Sequence, residues 1–247
     1  MHLFCMKKLI LLLFIFKTYS SIASVSNLCN QIDQKFKDYN WGMSYCNNYD
    51  YKHNLKTFKN NPLVYSEFKG NKVKNKNILI LCGVHGDEIT PIKFCFDALK
   101  LVSENQFANN ILIAPIVAPE GFLTQKPTRT NGKGVDVNRN FPTEDWDRDA
   151  LKKWKLRYKS SKRRFPGHES ASEIETIFQM NLIDEFKPDL IISVHSPLTF
   201  IDYDGPFFDN DGKIHFGKEI LKTLSTKSKD YRIKDYPVYP GSLGNYA

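Results

Sequence analysis

Several function classes are missing their signatures from this sequence. It has no glycine-rich phosphate loop and no zinc-finger spacing, which sets aside P-loop nucleotide chemistry and finger-type nucleic-acid readers. Its five cysteines include no metal-type C-x-x-C pair. No internal repeat is evident. Charge of one sign is not in strong excess. The net charge is +8 over 247 residues, and 32 basic against 27 acidic residues remain once residues 1–23, with Lys7, Lys8 and Lys17 and no acid, are set apart. So mild a balance suits contact with an anionic surface and does not call for nucleic acid. Long apolar runs are also lacking. The N-terminal one covers only Leu9 to Phe16, too short to span a bilayer stably, and no other segment could cross a membrane.

That N-terminal run reads instead as a secretory signal over 1–23. Lys7-Lys8 form a basic n-region, Leu9 to Phe16 the apolar h-region, and Ser21-Ile22-Ala23 offer small residues for cleavage. The mature protein is therefore expected in a periplasm or outside the cell. There Cys29 and Cys46 could pair. Cys82 and Cys95 are expected to pack as small apolar groups instead. The rest is enough for one sizeable α/β domain. An Asn-, Lys- and Tyr-rich extension over 24–60 is expected to pack through Phe36, Tyr39, Trp41, Tyr45 and Tyr49, ahead of a domain over 61–247.

Within that domain, strands and helices alternate. Leu63 to Phe68 reads as a strand, and Asn77 to Cys82 as a short, continuous, buried one. A helix is expected from about Pro91 to Val102, then a strand from Ile111 to Val117. Residues 118–145 lack periodicity, and a loop of that length inside a compact domain is usually functional. Residues 146–164 are heavily basic, with Trp146, Leu151, Trp154 and Tyr158 at roughly helical spacing. This is a solvated helix face or, more sharply, a contact for an anionic cell-envelope polymer over 148–164. A helix beginning with the capping-type run Ser170 to Glu173 leads to a third buried strand, Asp189 to Val194, and a further helix spans about Ile214 to Leu224. The rhythm predicts an α/β fold with a mixed, mostly parallel sheet flanked by helices.

Two histidines follow these strands. Gly83-Val84-His85-Gly86-Asp87-Glu88 comes after the first buried run, and His195 after the third. In a parallel sheet both strand ends reach the same edge, where open α/β sheets place their ligands. His85, Glu88 and His195 can then converge on one divalent ion, in the three-ligand arrangement of catalytic zinc. The long loop supplies cations. Arg129 could stabilise an oxyanion. Asn138 and Arg139 could hold a substrate carboxylate, although Arg139 could equally pair with Asp136.

These residues carry a resemblance. His85-Gly86-Asp87-Glu88, Gly134 to Pro142 (GVDVNRNFP) and His195-Ser196-Pro197 resemble, in order and spacing, the zinc carboxypeptidase family over about residues 63–247. Pro119-Glu120-Gly121 is similar to that family's Asn-Pro-Asp-Gly turn, with Ala118 in the Asn place. Ile201 to Pro206 is similar to its murein peptide amidase branch, whose members cut the γ-D-glutamyl–diaminopimelate bond of peptidoglycan stem peptides. The resemblance implies one zinc ion on His85, Glu88 and His195. It also implies Arg129 at the scissile carbonyl and Asn138 and Arg139 as receptors for substrate carboxylates. The implied partner is a peptide or muropeptide, cleaved at an amide next to a carboxylate.

One departure qualifies this. The family's general base is a Glu on a strand beyond a segment similar to Pro240 to Ala247, and no residue here matches it. The only Glu after His195 is Glu219, in an amphipathic stretch that reads as surface. The expectation is a C-terminally incomplete domain that lacks its last core strand and its base, either a truncated form of an active enzyme or a catalytically impaired product. The alternative functions are an acyl-amino-acid deacylase of the aspartoacylase type, which shares the opening motif, and a non-catalytic zinc and cell-wall peptide binder.

Overall fold

The computed structural model describes residues 24–197, 199–204, 212, 216–228, 231–234 and 239–247. The signal expected over 1–23 and Gly205-Pro206 lie outside the described residues.

The centre is a four-stranded sheet in the order β1-β3-β2-β4. Its strands are β1 (Ser66–Phe68), β2 (Asn77–Leu81), β3 (Asn110–Ala114) and β4 (Leu190–Ser193). β2 runs parallel to both β3 and β4, and β1 is antiparallel to β3. The sheet is therefore mixed and mostly parallel, as expected. Alternation along its strands divides the core in two. Ile111 and Ile113 join a cluster with Leu28, Ile32, Phe36, Phe96 and Leu99. Leu79, Leu81, Leu112 and Ala114 join another with Phe178 and Leu182. Helix α1 (24–38) and α2 (Ile89–Glu104) supply the first cluster, and α5 (Ile174–Phe186) the second.

Helix α1 was not expected in the 24–60 segment. Leu28, Ile32 and Phe36 recur every four residues and are fully or almost fully buried, a stripe obscured by the polar residues between them. Of the aromatics expected to pack there, Phe36, Tyr39, Trp41 and Tyr49 meet the core, whereas Tyr45 is exposed. Cys29 and Cys46 are bonded, tying α1 to the turn after it. Cys82 and Cys95 are also bonded, which corrects the expectation that they pack as free apolar groups. Both are buried, but α2 folds back over the end of β2 and brings their Cα atoms to 6.1 Å, within disulfide reach.

β4 also departs from expectation. It pairs with β2 alone among the described residues, and Ile192 is exposed rather than buried. A small parallel pair, β5 (Phe200–Ile201) and β6 (Arg232–Ile233), follows with α6 (Phe216–Lys227). The long 118–145 segment contains a short helix, α3 (Pro119–Leu123), and a 3-10 turn, Val137–Arg139. α4 (Trp146–Leu156) carries the basic stretch, and α7 (Leu243–Tyr246) packs near Asn138. No helix of the described residues is long and apolar enough to cross a membrane.

Candidate metal centre

The register of the sheet builds the site. Leu81 of β2 pairs with Ser193 of β4, so the two strands end level. The chain leaves β2 through Gly83, whose φ of +58° suits glycine, and reaches His85. Gly86 serves another need: a Cβ there would lie 2.0 Å from the Gly121 carbonyl carbon, so its bare Cα lets α3 abut the motif. From β4 the chain reaches His195 two residues after Ser193.

His85, Glu88 and His195 come together, with one ligand atom from each within 4.8 Å of the others. His85 Nδ1 lies 3.0 Å from Glu88 Oε1, and His195 Nδ1 lies 2.8 Å from Glu88 Oε2. The outer ring nitrogens are engaged: His85 Nε2 is 3.1 Å from Asp136 Oδ1, and His195 Nε2 is 3.1 Å from Ser193 Oγ. Two imidazoles thus turn the same nitrogen inward toward one carboxylate, with each outer nitrogen held by an oxygen. That donor set fits a divalent metal of the zinc type, including the outer partners that orient metal-bound histidines. Burial opposes ionisation of Glu88, but hydrogen bonds with His195 and His85 outweigh it and hold the carboxyl well below its usual range. Burial lowers the His195 pKa, which favours the neutral imidazole that a metal requires.

Arg129 is buried against this centre. Its Nε donates to Asp136 Oδ2 at 2.8 Å and its NH1 to Glu88 Oε1 at 3.1 Å. Asp136 is fully buried and bridges Arg129 to His85, so it does not take up the suggested pairing with Arg139. Burial works against the Asp136 charge, but Arg129 and His85 hold its carboxyl well below the usual range. Sequence reasoning gave Asp136 no role of its own. Its place two residues before the Asn138-Arg139 pair was the only signal.

Asn138 accepts a hydrogen bond from the Leu243 amide at 2.8 Å, and its own amide donates to Asp136 Oδ1 at 3.2 Å. Arg139 is buried with its guanidinium 4.7 Å from the Tyr239 ring centroid. Its NH1 donates to the Asn138 carbonyl, while its Nε has no hydrogen-bond partner among the described residues. A buried guanidinium with an open donor is suited to an anion. Glu219 is exposed on α6.

Asn131, which sequence reasoning also passed over, fixes the Arg129 loop. Its amide donates to Glu173 at 2.8 Å and to Glu175 at 2.9 Å. Burial, with Glu120 and Glu173 nearby, pushes the Glu175 pKa up to about 7 from an ordinary 4.5, against the Asn131 hydrogen bond. Between those values the unfolded chain releases a proton that the folded chain keeps. Stability therefore falls as pH rises from about 4.5 to 7, and the whole penalty persists above 7. Glu175→Gln is expected to stabilise the protein by about 1–3 kcal/mol at pH 8 and to have little effect at pH 4, read from urea midpoints.

Fold and site together define a class: open α/β proteins with a His-Glu-His cluster fit for a divalent metal at the carboxyl edge of the parallel strands, and an arginine beside it. Within that class, the profile of the zinc carboxypeptidase family matches residues 17–232, and the chain belongs to that family. Murein peptide amidase A of Escherichia coli strain K12 is 30% identical over 146 residues, which are 57% of each chain. The corresponding amidase of Vibrio campbellii is 29% identical over 143 residues, 57% of this chain and 55% of that one. The chain thus spans a little over half the length of the curated relatives it matches. The crystal structure of the murein-tripeptide amidase of Escherichia coli O157 superposes with a TM-score of 0.56 at 25% identity, over 79% of this chain and 76% of that one. Carboxypeptidase A of Helicoverpa armigera shares the fold, with a TM-score of 0.60 at 19% identity over 80% of this chain and 56% of its own.

Proposed function

We propose that this protein is a zinc-dependent hydrolase of amide bonds next to a carboxylate. Its substrates are peptidoglycan stem peptides cut at the γ-D-glutamyl–diaminopimelate bond, and it acts outside the cytoplasm. The carrying observation is the convergence of His85, Glu88 and His195 with Arg129 bound to the same cluster. Similarity to murein peptide amidases supports the substrate class. The signal-like N-terminus and the two disulfides support an oxidising compartment.

His85, Glu88 and His195 would hold the zinc, which when bound would supply Lewis acidity and a water of lowered pKa. Asp136 orients His85 and anchors Arg129 by its Nε. With NH1 on Glu88, the NH2 of that guanidinium would face the carbonyl oxygen as charge develops on it. Arg139 and the Asn138 side-chain amide would receive the neighbouring carboxylate, the role that the resemblance to zinc carboxypeptidases implies for them.

The test is mass spectrometry of zinc-loaded protein with muropeptides and, in parallel, N-acyl amino acids. Release of a diaminopimelate-containing fragment is the expected result. Turnover of the N-acyl amino acids alone would point to the deacylase reading. One metal per chain with no turnover of either would point to a binding protein.

A further inference from the structure

A groove of about 730 Å³ opens beside Arg129, between the 127–134 loop, α4 and the 162–168 segment. That size lies within the range of about 300–1,000 Å³ typical of small-ligand sites. Its charge is one-sided. Arg129, Lys133, Lys155, Lys162 and Arg163 line it, and no Asp or Glu does. Three of these cations have acidic partners: Arg129 on Glu88 and Asp136, Lys133 on Glu173 at 3.7 Å, and Arg163 on Asp87. Lys155 and Lys162 are exposed and form no ion pair among the described residues. Of the basic stretch, Lys155, Lys162 and Arg163 line the groove, and the exposed Arg148 and Lys152 do not.

One wall is aromatic and fixed. The Trp154 and Phe165 rings lie 4.9 Å apart, and Phe165 meets His168 at 5.0 Å. Trp154 Nε1 donates to the Ser161 carbonyl at 2.8 Å, which sets the indole. The groove also points somewhere definite. Arg129 joins it to Glu88, and Arg163 joins it to Asp87 of the same motif. An occupant would extend from the metal centre along α4.

We propose that this groove binds a short carboxylate-bearing peptide flanking the scissile amide. Its carboxylates face Lys155 and Lys162, and its apolar parts rest on Trp154 and Phe165. The inference rests on the hydrolase reading for the groove's place beside the cleaved bond and adds a requirement for acidity on the flanking residues. A groove of this size is filled by a few residues, so a long polymer is not its fitted ligand. Lysines converging on a space without acids attract carboxylates more strongly than they would if scattered over the surface.

The test is calorimetry and tryptophan fluorescence on the zinc-loaded full chain. The probes are N-acetyl-Ala-Glu-Glu and the uncharged N-acetyl-Ala-Gln-Gln amide. The acidic probe is expected to bind about tenfold tighter at low salt, with the difference shrinking at 0.5 M salt. Lys155→Glu with Lys162→Glu is expected to erase that preference while leaving the affinity for the uncharged probe unchanged. Trp154→Phe is expected to keep the binding heat and lose most of the fluorescence change, which places the probe against that wall. Equal affinities for the two probes, a preference that survives charge reversal, or binding of long polyglutamate only would overturn the proposal. Failure of the hydrolase reading is separately visible. Charge-selective binding with no muropeptide cleavage removes the catalytic role and keeps the groove, and cleavage without charge selectivity does the reverse.

Discussion

Replacing His195 with alanine is expected to abolish stoichiometric zinc binding. The wild-type chain is expected to retain about one zinc after gel filtration, and the variant close to none, by elemental analysis. Losing a mere outer partner of a metal ligand typically costs about 10–100-fold in affinity, so losing one of three ligands costs more than about 100-fold. The variant should still fold. His195 is part-exposed beyond the end of β4, which pairs with β2 alone among the described residues and whose register with it stops at Ser193. The expected unfolding midpoint without metal is therefore close to wild type. With zinc present the two separate, because a ligand that binds only the folded state stabilises it by mass action. Full retention of zinc by the variant would remove His195 from the ligand set and leave His85 and Glu88 as an ordinary polar pair.

How far this centre could be read from the residues follows from what holds it. β2 and β3 are continuous apolar runs paired on both sides within the sheet, and β4 is a similar run paired with β2, so pattern alone located them. The level ends of β2 and β4 then follow from parallel pairing, which is why two histidines far apart in sequence could be placed on one edge. The long loop is different. It is held by side chains bonded to backbone, which leave no periodic trace. Asn140 donates to the carbonyls of Pro166 and Glu169 and to Ser172 Oγ, and accepts from the Glu173 amide. Asn131 makes a similar knot with Glu173, Glu175 and the Lys133 and Val135 amides. Such bonds depend on distant segments meeting, and nothing local announces them.

The same reasoning covers the cysteines. Burial of Cys82 and Cys95 was legible from their apolar neighbours. Their bond depended on where α2 lands over β2, which is a tertiary fact. Arg129 was expected to face substrate only, but its guanidinium also completes the charge balance of Asp136 and Glu88. Its role toward a ligand and its role in the fold are therefore coupled.

That coupling gives the second large effect. Asp136→Asn preserves shape and removes one charge from a fully buried site. Arg129 then keeps only Glu88 as its ion-pair partner and meets an amide NH2 where Oδ2 accepted, while His85 keeps a neutral carbonyl acceptor in place of a charged one. Breaking a buried pair by removing one partner costs about 3–5 kcal/mol, so the urea midpoint at pH 7 is expected to fall by that equivalent. Zinc affinity is expected to fall as well, by about 10-fold, since the acceptor behind His85 has lost its charge and holds the imidazole more weakly. The pH dependence carries a sign. Asp136 has a depressed pKa in the folded protein, so its contribution is complete above its ordinary value of 3.8 and is lost as pH falls below that. The gap between wild type and Asp136→Asn should thus be full at pH 7 and narrow steadily below about pH 4. The pair can also be removed whole. Arg129→Met together with Asp136→Asn leaves no charge stranded between them, so the double variant should be more stable than the sum of the two single losses. Strict additivity in that cycle would mean that Arg129 and Asp136 are neighbours without being partners, and that His85 alone explains the burial of Asp136.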